Sequence, residues 1–215
     1  MKLPTTGRVL LSRHGQTEFN AGARYQGQTD TPLNDLGREQ ARRLAERLAG
    51  EDIDAAYASD LSRARETAEI ALGERAIPLQ LDARLREMAF GRWEGLTFAE
   101  IEKKYPADVV ARERDRVHFA QPGGGESLVQ LGARVVAFLA QVLPKHEGQS
   151  LLLVAHGGTL NAAIASILDI PLSSWSRLRN HNGNLSVIEL GPGGPCLRHF
   201  NDTCHLDTLA ELKWP

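Results

Sequence analysis

The chain has 215 residues, of which 42% are apolar and 24% are charged, and its formal net charge is -2. This length and composition predict a single globular domain over residues 1–215 with a substantial hydrophobic core. The near-neutral charge excludes a global attraction to nucleic acid or to an anionic membrane. Any anion site must therefore be built from a few well-placed cations.

The cysteines and the N-terminal segment give no sign of a metal site, a secretion signal or a membrane anchor. Cys196 and Cys204 form no CxxC or zinc pattern, and we expect two reduced thiols. Residues 1–7 lack the apolar region of a signal peptide, and no apolar run reaches the ~20 residues of a membrane-spanning helix. We expect a cytoplasmic protein with no metal and no cofactor.

The first half of the chain alternates short apolar runs with amphipathic stretches. We predict strands at 9–12, 53–58 and 77–81, and helices at 38–49 and 61–72. Asn34 or Asp35 should cap the first helix, and Ser59 or Asp60 the second. Residues 15–32 are predicted to form a polar, glycine-rich loop.

The second half continues the alternation around a glycine-rich breaker at 122–125. We predict helices at 98–105, 107–116, 126–143 and 159–168, and strands at 151–155, 185–190 and 196–200. Alternating strands and helices predict an α/β fold, a three-layer α/β/α sandwich with a mostly parallel central sheet. Residues from about 97 to 120 are predicted to be a helical insertion within this domain, over the functional edge of the sheet.

Two predicted strands end in the same dipeptide. Arg13, His14 and Gly15 follow the first strand, and His156 and Gly157 follow the fourth. In an open parallel sheet, ligands bind beyond the carboxyl ends of the strands. If the two strands are neighbours in the sheet, both imidazoles lie in one crevice.

These strand ends carry cations, whereas neither a dinucleotide fingerprint nor a Walker loop occurs in the sequence. Arg13 and Arg63 can bind phosphate oxygens in a bidentate manner, and a helix beginning after His156 offers free backbone N–H groups. An imidazole in such a pocket can attack phosphorus and carry the phosphoryl group covalently. Glu87, in a loop with Phe90, could then protonate the leaving oxygen, since an apolar setting favours the neutral carboxyl group.

Six segments in chain order cover most of the sequence and carry a family resemblance. They are 11–18 (Leu-Ser-Arg-His-Gly-Gln-Thr-Glu), 20–37, 58–68, 85–95, 122–127 and 154–158 (Val-Ala-His-Gly-Gly). This series resembles the histidine phosphatase superfamily, in its phosphoglycerate-mutase-like branch. The run at 24–30 is most similar to alpha-ribazole phosphatase-like and broad-specificity members.

The resemblance implies a phosphoric monoester hydrolase of the histidine acid phosphatase type. Such an enzyme is metal-independent and acts on small phosphorylated metabolites through a phosphohistidine intermediate. His14 would be the nucleophile and Glu87 the proton donor, whereas Arg13, Arg63 and His156 would hold the phosphoryl group. The residues implied to line the phosphate and substrate-binding mouth are Asn20, Gln26, Gly27 and Gly157.

Two other functions stay open at the level of sequence. A 2,3-bisphosphoglycerate-dependent phosphoglycerate mutase would share the pocket, and a non-catalytic relative could bind phosphorylated ligands or a partner protein. The presence of His14, Arg63 and His156 argues against the non-catalytic alternative. Asn161 stands where the resembling mutases carry an arginine, and little chain follows residue 206 to close the site, which argues against the mutase.

Some residues near the predicted crevice have no assigned role. His181, Asn182 and Asn184 could face the crevice or lie in a solvated loop. The arginines of 112–116 alternate with acids, which is more typical of a solvated helix face than of a substrate clamp. As partners we expect a small-molecule phosphate monoester, no nucleic acid and no membrane, with a homodimer as the alternative to a monomer.

Overall fold

A computed structural model describes residues 1 and 3–209. The expectation that little chain follows residue 206 to close the site lies partly outside the described residues. The strands are β1 (Gly7–Arg13), β2 (Ala55–Ala58), β3 (Leu79–Leu81), β4 (Ser150–Ala155), β5 (Leu185–Gly191) and β6 (Gly194–Asp202). The α-helices are α1 (Glu18–Ala21), α2 (Asp35–Arg47), α3 (Ser62–Leu72), α4 (Phe98–Lys104), α5 (Pro106–Arg114), α6 (Leu128–Val142) and α7 (Gly157–Ile167). Most predicted elements are present, with ends shifted by a few residues.

The strands form one six-stranded sheet in the order β3-β2-β4-β1-β5-β6. β1 pairs in parallel with β4, and β2 pairs in parallel with β3 and β4. β5 runs antiparallel to β1, and β6 runs antiparallel to β5. The prediction of a mostly parallel sheet is confirmed, and the two strands that end in His-Gly are direct neighbours.

Side chains of successive strand residues enter two separate cores, as the pleat of a strand requires. Val9 and Leu11 pack in a cluster with α6 and α7, whereas Leu10 packs in a cluster with α2 and α3 on the opposite face. Helices therefore cover both faces of the sheet. The predicted three-layer α/β/α sandwich is confirmed.

The N-terminus of α3 is capped differently from the prediction. Its N-cap is Leu61, which offers no side-chain acceptor, so the expectation for Ser59 or Asp60 is wrong. The carboxylate of Asp30 instead accepts a 2.8 Å hydrogen bond from the backbone N–H of Ser62. Asp60 is held by Arg86, with 2.6 Å between their charged atoms. The cap thus comes from a distant loop, which ties that loop to the helix that carries Arg63.

The predicted loop at 15–32 contains the short helix α1, which the sequence analysis missed. Thr17 and Asn20 form a reciprocal capping box around it. In contrast, α4 and α5 lie where the helical insertion was predicted. The insertion is fastened by a bidentate ion pair between Arg92 and Asp108, at 2.6 Å for the closest contact.

The segment Leu128–Lys145, which extends α6, is long and apolar enough by length and composition to cross a membrane. The buried residues of α6 include Leu131, Val135 and Phe138, which belong to the cluster that packs on the sheet. The core helix of a globular protein meets the same length and composition criteria.

Candidate active site

The pairing of β1 with β4 brings His14 and His156 together. Arg13 lies opposite Ala155 in the register, and the backbone N–H of His14 donates a 3.0 Å hydrogen bond to the Ala155 carbonyl. The two imidazole ring centroids are 5.0 Å apart. The carboxyl ends of the two strands therefore form one crevice, as the sequence predicted.

A cavity of about 400 Å³ opens at this crevice. Its lining residues are Arg13, His14, Phe19, Asn20, Ala23, Arg24, Tyr25, Gln26, Gly27, Arg63, Glu87 and Phe90. Seven of the nine site residues predicted from sequence are in this set. The other two lie behind it: His156 is fully buried, and a Cβ at Gly157 would be 3.8 Å from Arg13 Nε and 3.9 Å from Glu87 Oε2.

The local contacts of His14 fix its tautomer. Its Nδ1 lies 2.7 Å from the carbonyl oxygen of Gly15, which can only accept a hydrogen bond. Nδ1 must therefore carry the proton, and Nε2 keeps its lone pair. Burial lowers the pKa of His14 well below 6.5, and the charges of Arg63 and Arg13 lower it further. The ring is therefore neutral at neutral pH, as a nitrogen nucleophile requires.

His156 occupies the N-cap position of α7 and has no comparable anchor. Among the described residues, neither of its ring nitrogens has a hydrogen-bond partner, although both are buried. Burial lowers its pKa well below 6.5, followed by the charges of Arg63 and the neighbouring His14. A buried polar group without a protein partner is rare and costly, and a bound ligand is one arrangement that satisfies it.

Two arginines lie beside the histidines, the fully buried Arg63 and the half-buried Arg13. Arg63 donates from Nη2 to the Gly27 carbonyl at 2.7 Å and from Nη1 to the Thr29 carbonyl at 2.9 Å. Burial lowers the pKa of Arg63 to about 10, so the guanidinium stays charged at neutral pH. Arg13 donates from Nη1 to the Asn180 carbonyl at 2.8 Å. The Nε atoms of both arginines are buried and have no partner among the described residues, which leaves two N–H donors for an anion.

Glu87 has more polar contacts than the sequence analysis expected. Its Oε1 accepts a 2.8 Å hydrogen bond from the backbone N–H of Met88, and its Oε2 accepts one of 3.1 Å from that of Gly158. A Cβ at Gly158 would lie 2.6 Å from Oε1, so a glycine is required there for this close approach. The carboxylate is held by backbone donors rather than by an apolar wall, and that expectation is corrected.

The loop after α1 supplies the other predicted binding residues. Asn20 Oδ1 accepts from the backbone N–H of Thr17 at 3.1 Å, so its Nδ2 group is the end left for a ligand. Gln26 accepts a 2.7 Å hydrogen bond from the Thr31 hydroxyl. Gly27 has a φ of +56°, and a Cβ there would lie 2.0 Å from Glu94 Oε1, so only glycine fits.

Glu94 and Arg134 support the site, and the sequence analysis assigned neither a supporting role. Glu94 accepts hydrogen bonds from the backbone N–H groups of Gln28 at 3.1 Å and Thr29 at 2.9 Å, which fixes the loop that contacts Arg63. Arg134 donates to the Glu87 carbonyl at 2.8 Å and pairs with Glu126 at 2.7 Å. Glu94 lies in the motif segment 85–95 and is a rival to Glu87 as the acid at the level of sequence, whereas no local pattern distinguishes Arg134.

The asparagines before β5 contact the backbone of the residues that end β1. Asn184 Oδ1 accepts a 3.0 Å hydrogen bond from the backbone N–H of Arg13. Asn182 Nδ2 donates to the His14 carbonyl at 2.9 Å. The backbone N–H of His181, by contrast, donates to Asn201 Oδ1 at 2.8 Å, toward β6.

The half-buried part of the cavity lining is largely aromatic. Phe19, Tyr25 and Phe90 line it, and the rings of Tyr25 and Phe90 meet edge to face with centroids 4.9 Å apart. Arg24 is the cation in this part, and its Nη1 is already 2.8 Å from Glu100 and 2.7 Å from the Gly95 carbonyl. We call the part of the lining with His14, Arg13 and Arg63 the cationic floor and the half-buried aromatic part the mouth.

Among residues 1 and 3–209, no group of three or more His, Cys, Asp or Glu side chains is arranged to hold a metal ion. The positive charge of the site comes from Arg13 and Arg63. A parallel-sheet crevice with paired histidines and buried arginines belongs to the class of α/β proteins that bind phosphoryl groups.

The family model of the histidine phosphatase superfamily (branch 1) matches residues 9–203. The chain belongs to this family, as its motifs predicted. It is 41% identical over 215 residues to a glucosyl-3-phosphoglycerate phosphatase of Mycolicibacterium vanbaalenii, covering 96% of this chain and 91% of that protein. It is 34% identical over 207 residues to a metal-independent phosphoserine phosphatase of Arabidopsis thaliana, covering 95% of this chain and 85% of that protein.

Solved structures support the same assignment. The crystal structure of the alpha-ribazole phosphatase from Shigella flexneri superimposes with a TM-score of 0.84 at 32% sequence identity, covering 91% of this chain and 96% of that one. The fold prediction and the family prediction are both confirmed.

Proposed function

We propose that this protein is a metal-independent phosphomonoesterase of small phosphorylated metabolites that works through a phosphohistidine at His14. The observation that carries the proposal is the state of the His14 ring. Its Nδ1 is committed to the Gly15 carbonyl at 2.7 Å, and its lowered pKa keeps Nε2 unprotonated. A neutral imidazole with one nitrogen fixed and the other free is prepared for nucleophilic attack.

Substrate binding would use the cationic floor of the cavity. The phosphoryl oxygens would receive hydrogen bonds from the Nε groups of Arg13 and Arg63, from His156 and from the amide of Asn20. The first turn of α7, which begins at Gly157, would add a favourable helix dipole. These fixed donors stabilise the charge that spreads over the phosphoryl oxygens in the transition state.

In the first chemical step, the lone pair on His14 Nε2 attacks phosphorus and the bond to the ester oxygen breaks. The departing alcohol oxygen takes the bonding electron pair and a proton from Glu87, which leaves a carboxylate and a phosphohistidine. Gly158 and Met88 hold the Glu87 carboxyl group in place.

In the second step, water attacks the phosphorus and the bond to Nε2 breaks. Glu87 accepts the proton of the water as the new P–O bond forms, so the enzyme returns to its starting state with inorganic phosphate bound. The same carboxyl group thus acts first as an acid and then as a base.

The contacts of Asn161 support hydrolysis rather than mutase activity. Its Nδ2 donates to the carbonyls of Leu178 at 2.7 Å and Trp175 at 3.1 Å, and its Oδ1 is close to Asn180 Nδ2. This side chain is fully used within the fold and offers no charge to a substrate carboxylate. The non-catalytic alternative is not favoured either, because the named relatives are phosphatases.

The mouth of the cavity gives a basis for substrate choice. The alcohol part of the ester would lie against Phe19, Tyr25 and Phe90, whose faces and edges suit a sugar or another ring. We therefore expect ring-bearing esters, such as the glucosyl-3-phosphoglycerate in the name of one relative, to be better substrates than phosphoserine. We also propose that residues 1–215 form one domain, since both cores share one sheet, and that the enzyme is cytoplasmic, in keeping with its exposed free thiols.

The proposal is tested by measuring phosphate release from p-nitrophenyl phosphate and from a panel of metabolite monoesters, with and without a chelator. We expect turnover that the chelator leaves unchanged, with higher kcat/KM for ring-bearing esters than for phosphoserine. Conversion of 3-phosphoglycerate to 2-phosphoglycerate, primed with 2,3-bisphosphoglycerate, should be far slower than hydrolysis. Mutase turnover above hydrolysis, or loss of activity with the chelator, would contradict the proposal.

A further inference from the structure

The side chain of Asn182 connects the nucleophile to a binding residue. It lies on the segment 180–184 that leads into β5. Its Nδ2 is 2.9 Å from the His14 carbonyl, 3.3 Å from the Gly15 carbonyl and 3.2 Å from Asn20 Oδ1. One amide group thus reaches three acceptors at the floor of the cavity.

The direction of these hydrogen bonds follows from the partners. Backbone carbonyls can only accept, so Asn182 must present its NH₂ group to His14 and Gly15. Asn20 must then present its oxygen to Asn182, as it also does to the backbone N–H of Thr17 at 3.1 Å. The NH₂ group of Asn20 is therefore the end left for the cavity that Asn20 lines.

The Gly15 carbonyl is a second group that connects Asn182 to His14. It accepts from His14 Nδ1 at 2.7 Å and from Asn182 Nδ2 at 3.3 Å. Since this carbonyl determines which nitrogen of His14 carries the proton, Asn182 holds the group that sets the tautomer.

The segment that carries Asn182 is itself fixed to the end of β1. The backbone N–H of Gly183 donates to the Arg13 carbonyl at 3.0 Å, and its carbonyl accepts from His205 Nε2 at 2.8 Å. Asn184 accepts from the backbone N–H of Arg13 at 3.0 Å. The Asn182 amide is therefore presented from a backbone anchored on both sides.

We propose that Asn182 is a positioning residue that aims the Asn20 NH₂ group at the substrate phosphate and holds the Gly15 carbonyl against His14 Nδ1. The inference rests on the proposed function, because it assigns Asn182 to the same site. Asn182 does not touch the substrate; it acts through Asn20 and His14.

The first test is a double-mutant cycle on the affinity for inorganic phosphate, measured by calorimetry with wild type, Asn20→Ala, Asn182→Ala and the double variant. A hydrogen bond to a charged ligand is worth about 10- to 100-fold in affinity, so Asn20→Ala should weaken binding by that order. Asn182→Ala should weaken it several-fold in the wild type and have little effect once Asn20 is absent. If Asn182→Ala reduces phosphate affinity equally in wild type and in Asn20→Ala, the inference that Asn182 acts through Asn20 is overturned.

The second test reads the His14 ring directly. Asn182→Asp has no N–H to donate and places an acceptor against the His14 and Gly15 carbonyls. The ¹⁵N chemical shifts of His14 should show a single Nδ1-protonated tautomer in wild type and a mixture in Asn182→Asp. An unchanged His14 tautomer in Asn182→Asp would overturn the inference that Asn182 holds the Gly15 carbonyl against His14 Nδ1.

Asn34→Ala is the matched control. Asn34 caps α2 and contacts Gln16, but it touches neither His14 nor Asn20, and losing a cap costs about 1 kcal/mol of stability. It should destabilise the protein without changing phosphate affinity or the His14 tautomer. Neither test requires turnover, so failure of the phosphohistidine mechanism and failure of this proposal are separate results.

Discussion

The two strand ends share the dipeptide His-Gly but place it in different surroundings. His14, after β1, has Nδ1 committed to a carbonyl at 2.7 Å. His156, after β4, has two buried ring nitrogens with no partner among the described residues. Burial is the first cause of the lowered pKa of both rings, so neither is charged at neutral pH.

We propose that this difference separates two tasks, nucleophilic attack by His14 and binding of the transferring group by His156. A nucleophile needs a defined lone pair, which a fixed tautomer supplies. A residue that binds the transferring group gains from uncommitted nitrogens, which can adopt whichever tautomer the phosphoryl oxygens require. The two ring centroids are 5.0 Å apart, so on this proposal the immediate hydrogen bonds of each ring distinguish its role.

Substitution of His14 should give the largest effect. His14→Ala removes the attacking nitrogen, and we expect kcat to fall by about 10⁴-fold or more while the fold is kept. Activity is measured on p-nitrophenyl phosphate, with circular dichroism to check folding. His118→Ala is the control, because His118 lies on the surface beside Asp115. Retained activity in His14→Ala would exclude His14 as the nucleophile.

Glu87 contacts the helix that follows His156. The loss of activity on substituting Glu87 should depend on the leaving group of the substrate. Glu87→Gln cannot donate the proton, so hydrolysis of alkyl phosphates should fall by ~10²–10⁴-fold. The loss should be much smaller for p-nitrophenyl phosphate, whose leaving group hardly needs a proton. Glu69→Gln, at an exposed ion pair with Arg65, should change neither rate. Equal losses on both substrates would make Glu87 a structural residue.

His156→Ala should be less damaging than His14→Ala, because it removes a donor and not the nucleophile. The loss of one fixed donor to transition-state charge costs about 10²–10³-fold in kcat. Both rates are measured on the same substrate under the same conditions. If His156→Ala is as inactive as His14→Ala, the assignment of separate tasks is wrong.

The smallest effect concerns stability against pH. The pKa of each buried histidine is lowered in the folded state, so below the ordinary value of 6.5 the unfolded chain takes up protons that the folded protein does not. The contribution of each histidine to the free energy of unfolding is therefore complete above about pH 6.5. It is lost as the pH falls toward the lowered pKa, by up to about 1.4 kcal/mol per pH unit for each histidine.

This loss is measured by denaturant unfolding at several pH values. His14→Gln and His156→Gln should each reduce the slope of unfolding free energy against pH by the contribution of one histidine. An identical slope in wild type and both variants would show that neither buried histidine is neutral because of folding.

The sequence predicted the parts of the molecule that local patterns determine. Apolar runs located β1 and β4, and the dipeptide after each located His14 and His156. It could not predict the cap of α3, because Asp30 reaches Ser62 through tertiary contact while Asp60 is taken by Arg86.

Local sequence patterns also predicted only part of the site. Arg63 and Glu87 were found through their motifs, but the apolar surroundings expected for Glu87 were wrong, because backbone N–H groups of Met88 and Gly158 reach its carboxylate. Glu94 lies in a motif segment that does not reveal its contacts with Gln28 and Thr29, and Arg134 has no motif signal at all. Such contacts depend on how loops meet in space, which periodicity does not encode.

The most direct test of separate roles for the two histidines is the location of the phosphoryl group. The enzyme is mixed rapidly with substrate, quenched without acid and examined by ³¹P NMR and mass spectrometry. We predict a phosphoryl group on Nε2 of His14 in wild type and in His156→Ala, and none in His14→Ala. A phosphoryl group on His156, or steady turnover without any phosphoenzyme, would contradict the account.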